Sequence, residues 1–156
     1  METVEFSARG CVMKSMRCVA AFLAVTCLLS GCSSTSTFRW PGVDLADYKR
    51  VWVEKNFDDD RRIHETIAAE LKALGYEADS GPATMMPRGI ELIVTYDDDW
   101  NWDFRDYLID IEISVREPRS SRVIARGRYF RPGITNKAPE VMVREVVNSI
   151  FKPGKK

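Results

Sequence analysis

Glu91-Leu92-Ile93-Val94-Thr95-Tyr96-Asp97-Asp98-Asp99-Trp100-Asn101-Trp102-Asp103-Phe104 alternates along its length. Leu92, Val94, Tyr96, Trp100, Trp102 and Phe104 share one parity, interrupted by Asp98, while Ile93, Thr95, Asp97, Asp99, Asn101 and Asp103 take the other. A period of two is that of a β-strand, whose successive side chains point to opposite faces. A tight turn at Arg105-Asp106 sets Phe104 opposite Tyr107, Trp102 opposite Ile109 and Trp100 opposite Ile111, which keeps every partner on the apolar face. A second turn around Glu117-Pro118-Arg119-Ser120-Ser121 brings Val115 to Val123, Ile113 to Ala125 and Ile109 to Tyr129. The expectation is a three-strand meander. Its other face places Glu112 beside Arg126 and Asp110 beside Arg128, a solvated ladder of ion pairs contributing ~0.2–1 kcal/mol each.

Upstream, Val51 and Val53 alternate with polar residues between Tyr48 and Phe57, a strand that halts at Asp58-Asp59-Asp60. Asp59 or Asp60 suits a helix N-cap, because a carboxylate there accepts orphan N–H groups and complements the helix dipole. Ile63, Ile67, Leu71 and Leu74 then form one helical stripe, and Gly75 is placed to end it. Downstream, Pro139 suits a first helical turn, Val143, Val146, Val147 and Ile150 form a second stripe, and Pro153-Gly154 stops it. The order β-α-β-β-β-α predicts an α+β two-layer sandwich: a mixed or antiparallel sheet with both helices on one face, spanning residues 46–152 with a tail at 153–156.

The whole chain has 156 residues, 45% hydrophobic and 29% charged, with 23 basic side chains against 23 acidic. That supports one compact core and excludes a disordered chain or a collagen-like rod. Its N-terminal third reads as a sorting signal. Lys14 and Arg17 precede an apolar run from Cys18 to Leu29, too short to span a bilayer but of signal-peptide length. The run ends Leu29-Ser30-Gly31-Cys32, which resembles the lipobox of bacterial lipoproteins. The resemblance implies cleavage after Gly31 and diacylglycerol on the Cys32 thiol, so that residues 1–31 are a signal peptide, with a possible extension before Met13 or Met16. Ser33, a non-acidic residue after the cysteine, implies by the same resemblance an outer-membrane anchor; the periplasmic face is the expected orientation, with the cell exterior left open because lipoproteins of both kinds carry the same lipobox. Each buried acyl methylene contributes about 0.8 kcal/mol. Residues 32–45 are expected as a flexible tether, since Ser33-Ser34-Thr35-Ser36-Thr37 has nothing to bury.

Of the four cysteines, Cys11, Cys18 and Cys27 lie in or before the signal, and the mature chain keeps only Cys32, whose sulfur the lipid would consume. No disulfide, cysteine nucleophile or thiolate metal site is therefore expected in the mature domain. His64, the single histidine, is expected on a helix surface without an activated nucleophile nearby, so no catalytic residue is expected. Asp97, Asp99, Asn101 and Asp103 echo an EF-hand loop, but Trp102 stands where that loop needs Gly and Leu108 where it needs a bidentate Glu. Neither a metal nor another cofactor is expected. Arg128, Arg131 and Lys137 lie near Tyr129 and Phe130, yet residues 33–156 carry 20 basic and 21 acidic side chains, which offers no field to a nucleic acid.

The remaining candidates are the aromatics Tyr96, Trp100 and Trp102. Their face also carries Leu92, Val94, Ile109 and Ile111, which favours core packing; exposed at a strand end, they would stack on sugars.

The opening Tyr48-Lys49-Arg50-Val51-Trp52, the pair of segments Leu74-Gly75-Tyr76 and Glu91-Leu92-Ile93-Val94, and Trp100-Asn101-Trp102-Asp103 resemble small α+β lipoproteins of Gram-negative envelopes of a domain-of-unknown-function type. The match spans residues 46–151, with Glu91 where Asp is expected. The resemblance implies fold and location but neither a catalytic residue nor a cofactor. The functional expectation is a non-enzymatic, membrane-anchored accessory or assembly factor that binds an envelope protein. The alternative is a glycan- or peptidoglycan-binding module, and a hydrolase ranks third.

Overall fold

A computed structural model describes residues 34–131 and 137–152. Gly31 and Cys32, and with them the signal peptide and lipobox, lie outside the described residues, as does the tail at 153–156.

The strands are β1 (Ser34–Arg39), β2 (Arg50–Glu54), β3 (Glu77–Gly81), β4 (Leu92–Trp102), β5 (Asp106–Arg116) and β6 (Val123–Phe130). The helices are α1 (Ile63–Ala73), between β2 and β3, and α2 (Pro139–Phe151), after β6. One mixed sheet runs β1-β6-β5-β4-β2-β3, with β2 parallel to both β3 and β4 and the other pairs antiparallel. The fold is α+β, a two-layer sandwich, as the periodicity predicts.

Both helices bury the expected stripes. Ile63, Ile67 and Leu71 of α1 and Val143, Val146, Val147 and Ile150 of α2 are buried, and Met142 and Phe151 join the second set. They pack with Val51, Val53, Leu92, Val94, Ile111, Ile113, Val115 and Tyr129 from the sheet in one core. Gly127 of β6 permits the close approach of α2, because a Cβ there would stand 2.7 Å from Ile150 Cγ1 and 3.1 Å from Val146 Cγ1. Gly75 ends α1 at φ +96°. Tyr76 N–H donates to Leu71 O and Gly75 N–H to Lys72 O, the paired bonds of a Schellman motif.

Two strands escape the sequence pattern. Residues 34–39, expected as part of the tether, instead pair antiparallel with β6, from Ser34 opposite Phe130 to Arg39 opposite Ala125. The physical reason is main-chain pairing: β1 is exposed nearly throughout, so it has no buried face to produce alternation. Arg39 then reaches the Ile150 carbonyl of α2, and Trp40 N–H donates to Ile124 O at 2.8 Å. β3 is likewise short and polar apart from buried Ala78, and it is held by parallel pairing to β2.

The meander forms, but its register differs. Tyr96 faces Ile113, Val115 faces Ala125 and Ile111 faces Tyr129, a slip of two residues from expectation that preserves the inward face. Beyond Asp99 a bulge shifts the pairing again, so Trp100 lies opposite Leu108 and Trp102 opposite Asp106. The outer ion pairs survive as diagonals: Arg126 Nε lies 3.2 Å from Glu112, and Arg128 Nε donates to Asp110 at 2.9 Å.

Candidate functional site

Parallel β2 and β4 pair only from Val51–Val53 to Leu92–Val94, after which β4 continues to Trp102 while the chain leaves β2 for α1. β3 ends beside β2 at Gly81, and its chain returns to β4 on the other side of β2. Chain segments diverging from the carboxyl ends of neighbouring parallel strands leave a crevice, the usual place for a ligand in open sheets. Here the crevice is a cleft of about 680 Å³, lined among others by Glu54, Lys55, Asn56, Phe57, Pro82 and Asp97.

The loop that leaves β2 is held from beneath by Asp59. This carboxylate is buried. Oδ1 accepts the N–H groups of Arg61 at 3.0 Å and Ile63 at 3.2 Å, and Oδ2 accepts His64 N–H at 3.2 Å. Oδ2 also accepts the Tyr96 hydroxyl and His64 Nδ1, each at 2.6 Å. Asp59 thus satisfies the orphan donors of α1 from outside the N-cap position, which Arg62 fills in the left-handed region at φ 59°. Burial alone would raise the Asp59 carboxyl, but hydrogen bonds from Tyr96, His64 and the His64 and Ile63 backbone outweigh it and hold the group well below the usual carboxylate range. Burial and the bond to Asp59 push the Tyr96 phenol above its ordinary value. The Tyr96 oxygen in turn accepts Asn56 N–H at 3.2 Å.

The three aromatic candidates do not share a surface. Tyr96 is buried, with its hydroxyl committed to Asp59. Trp100 is half-buried against the core, donates from Nε1 to Asp98 at 2.5 Å, and lies under the Arg61 guanidinium at 4.4 Å. Arg61 extends from there to Asp106 at 2.7 Å, tying the loop before α1 to the β4–β5 hairpin. Desolvation raises the Asp98 carboxyl, against the opposing Trp100 hydrogen bond. Only Trp102 stands in solvent, 68% exposed, beside the 93% exposed Phe104 with ring centroids 6.1 Å apart. Phe104 sits at φ 59°.

His64 is a further correction. It is buried at the first turn of α1, because its ring finds a carboxylate partner there. Sequence reasoning found Asp59 as a helix-capping residue but missed His64 and Tyr96 as its partners. Tyr96 is 37 residues away and its parity marks it only as core. The cleft and Phe57 were also missed; the Lys55-Asn56-Phe57 break after an apolar strand was the available signal. Asp97, Asp99 and Asn101 lie along β4 with Asp103 just beyond its end, and no cluster of three or more His, Cys, Asp or Glu able to hold a metal occurs among the described residues.

No family model matches the chain, and neither does any curated protein. Solved structures do match in fold. A PelC dodecamer from Paraburkholderia phytofirmans aligns with a TM-score of 0.54 at 10% identity, covering 76% of this chain and 94% of that one. A variant of the same protein aligns at 0.53, also 10% identical, with 76% and 93% covered. A PDZ domain protein from Parabacteroides distasonis aligns at 0.50 and 13% identity, covering 88% of this chain and 40% of that one. At these identities the likeness is one of fold, and it extends over nearly the whole of the PelC chain.

Proposed function

We propose that the chain is a lipid-anchored outer-membrane protein, periplasmic in orientation, that acts without catalysis as an accessory or assembly factor and docks on an envelope protein through the tip of the β4–β5 hairpin. The observation that carries this is the exposed pair Trp102 and Phe104. Two large rings in contact with each other and open to water are expensive to leave uncovered, and Trp is enriched among the residues that dominate protein interfaces. Phe104 holds a left-handed backbone that disfavours bulky residues, which is strain of the kind retained at recognition sites. Asp103, Arg105 and Asp106 supply a charged rim. The Leu29–Cys32 pattern supports the anchor, and the fold is shared with PelC, a protein crystallised as a dodecamer.

Crosslinking in intact cells, followed by mass spectrometry, tests the reading. Wild type should retain a small set of envelope proteins, Trp102→Ala with Phe104→Ala should lose them, and Cys32→Ala should lose them together with fatty-acid labelling. Retention of the same set by the double variant would sink the hairpin as the docking site, and unchanged labelling of Cys32→Ala would sink the anchor. A second reading, glycan binding, draws support from the cleft instead of from Trp100 and Trp102.

A further inference from the structure

The switch-point cleft has the composition and rigidity of a binding site. Its volume of about 680 Å³ falls inside the ~300–1,000 Å³ typical of small-molecule sites. Its walls are fixed by a main-chain bond and by the buried Tyr96 hydroxyl, which leaves the other polar side chains that face the space out of that framework. Lys55 N–H donates to Gly81 O at 2.8 Å, joining the segments that follow β2 and β3. Asn56 N–H donates to the Tyr96 hydroxyl, which Asp59 holds from below. Backbone strain is not needed to keep the cleft open.

The side chains, by contrast, are left uncommitted. Several charges elsewhere on the described surface are paired, among them Lys72 with Asp79 at 2.9 Å, Arg144 with Glu70 at 3.0 Å and Lys137 with Glu145 at 2.6 Å. Among the described residues no hydrogen bond or ion pair engages the side chains of Lys55, Asn56 or Asp97, although the three line one cleft. Glu54 has only a long contact to Arg116, at 3.7 Å. Phe57 stands at the rim 97% exposed, with no packing role in the domain.

We propose that this cleft is a saccharide-binding subsite. The inference deepens the glycan reading and is independent of protein docking at the hairpin. Sugar hydroxyls donate and accept at once, so they need acceptors and donors side by side. Asp97 and Glu54 offer the first, the Lys55 ammonium offers the second and the Asn56 amide offers both. The C–H face of a pyranose needs an open aromatic ring, which Phe57 supplies. A phosphate is disfavoured, because a single cation lines the space against two carboxylates. Tyr96 acts here as a positioning residue, holding the Asn56 backbone without offering its hydroxyl.

Saturation-transfer NMR tests the subsite on the full-length lipidated chain in micelles, with the β-1,4-linked N-acetylglucosamine disaccharide and maltose as probes at millimolar concentration. At least one disaccharide should receive saturation. Phe57→Ala and Asp97→Ala should each weaken its Kd by about tenfold or more, the loss of roughly one good contact. Both positions are exposed, and unchanged urea unfolding of the variants confirms that the fold is intact. No transfer to either sugar overturns the proposal. So does transfer that survives both substitutions, and its loss with Trp102→Ala would place the sugar on the hairpin. These results leave the crosslinking test of the docking surface untouched, so the two readings fail separately.

Discussion

At residue scale Asp59 joins three parts of the chain that the sequence presents separately: the loop after β2, the first turn of α1 and the middle of β4. Charge-assisted hydrogen bonds contribute about 1.5–3 kcal/mol each when made, and a buried donor left unsatisfied costs a comparable amount. Asp59→Asn keeps the shape but gives up the charge and turns one oxygen into a donor facing other donors. It should lower stability by about 2–4 kcal/mol in urea unfolding. Tyr96→Phe removes one bond and should cost about 1–2 kcal/mol. The pH dependence follows from the direction of the Asp59 shift. Its folded pKa lies below the unfolded value of about 3.9, so the stabilisation is complete above that pH and is lost as pH falls toward the folded value. Wild type should therefore show an acid limb starting near pH 4 in pH-dependent chemical unfolding, and Asp59→Asn should lack this contribution to it. An identical limb in the variant would assign acid sensitivity to other carboxylates.

At the scale of elements, what could be read in advance depended on whether one face of the element is dry. α1 and α2 were legible because Ile67, Leu71, Val143 and Val146 repeat at helical spacing and are fully buried. β1 was not, since an edge strand wet on both faces carries no alternation and its Ser/Thr composition is equally that of a linker. The hairpin register illustrates a different limit. A slip of two residues leaves parity unchanged, so hydrophobic patterning cannot distinguish the expected pairing from the observed one. The bulge after Asp99, which separates Trp100 from Trp102 in environment, leaves no parity signal at all. The candidate site was legible only in fragments for the same reason. Its parts, Asp59, Tyr96 and Asn56, are joined by polar contacts between segments, which periodicity does not encode. Where helix meets sheet, Gly127→Ala should cost about 1–3 kcal/mol by overpacking, read as a lower denaturation midpoint, because the added carbon would press on Ile150 and Val146 together. Leu71→Asp should unfold the domain, as it sets a charge on the buried side of α1 within the core, and loss of a cooperative urea transition would show it.

At the scale of the whole molecule, the pairing of β1 changes what a lipid anchor would mean. A tether through residue 45 would let the domain range far from the bilayer. With β1 zipped to β6 from Ser34 onward, the only residue between the proposed acylated Cys32 and the sheet is Ser33. Two steps of at most ~3.6 Å each separate Cys32 from Ser34, so the N-terminal end of β1 would be held close to the lipid headgroups. Short reach then becomes a determinant of partner choice: the domain would meet proteins at the membrane surface and not those deep in the periplasm. Inserting ten Gly/Ser residues between Ser33 and Ser34 tests this without touching the fold. A flexible linker of that length has a root-mean-square span of about 16–19 Å, enough to free the edge from the surface while the anchor remains. Fatty-acid labelling and urea stability should stay at wild-type values, whereas crosslinks to membrane-surface proteins should fall severalfold through lower effective concentration. Unchanged crosslinking would mean that affinity at the hairpin, and not confinement near the bilayer, selects the partner.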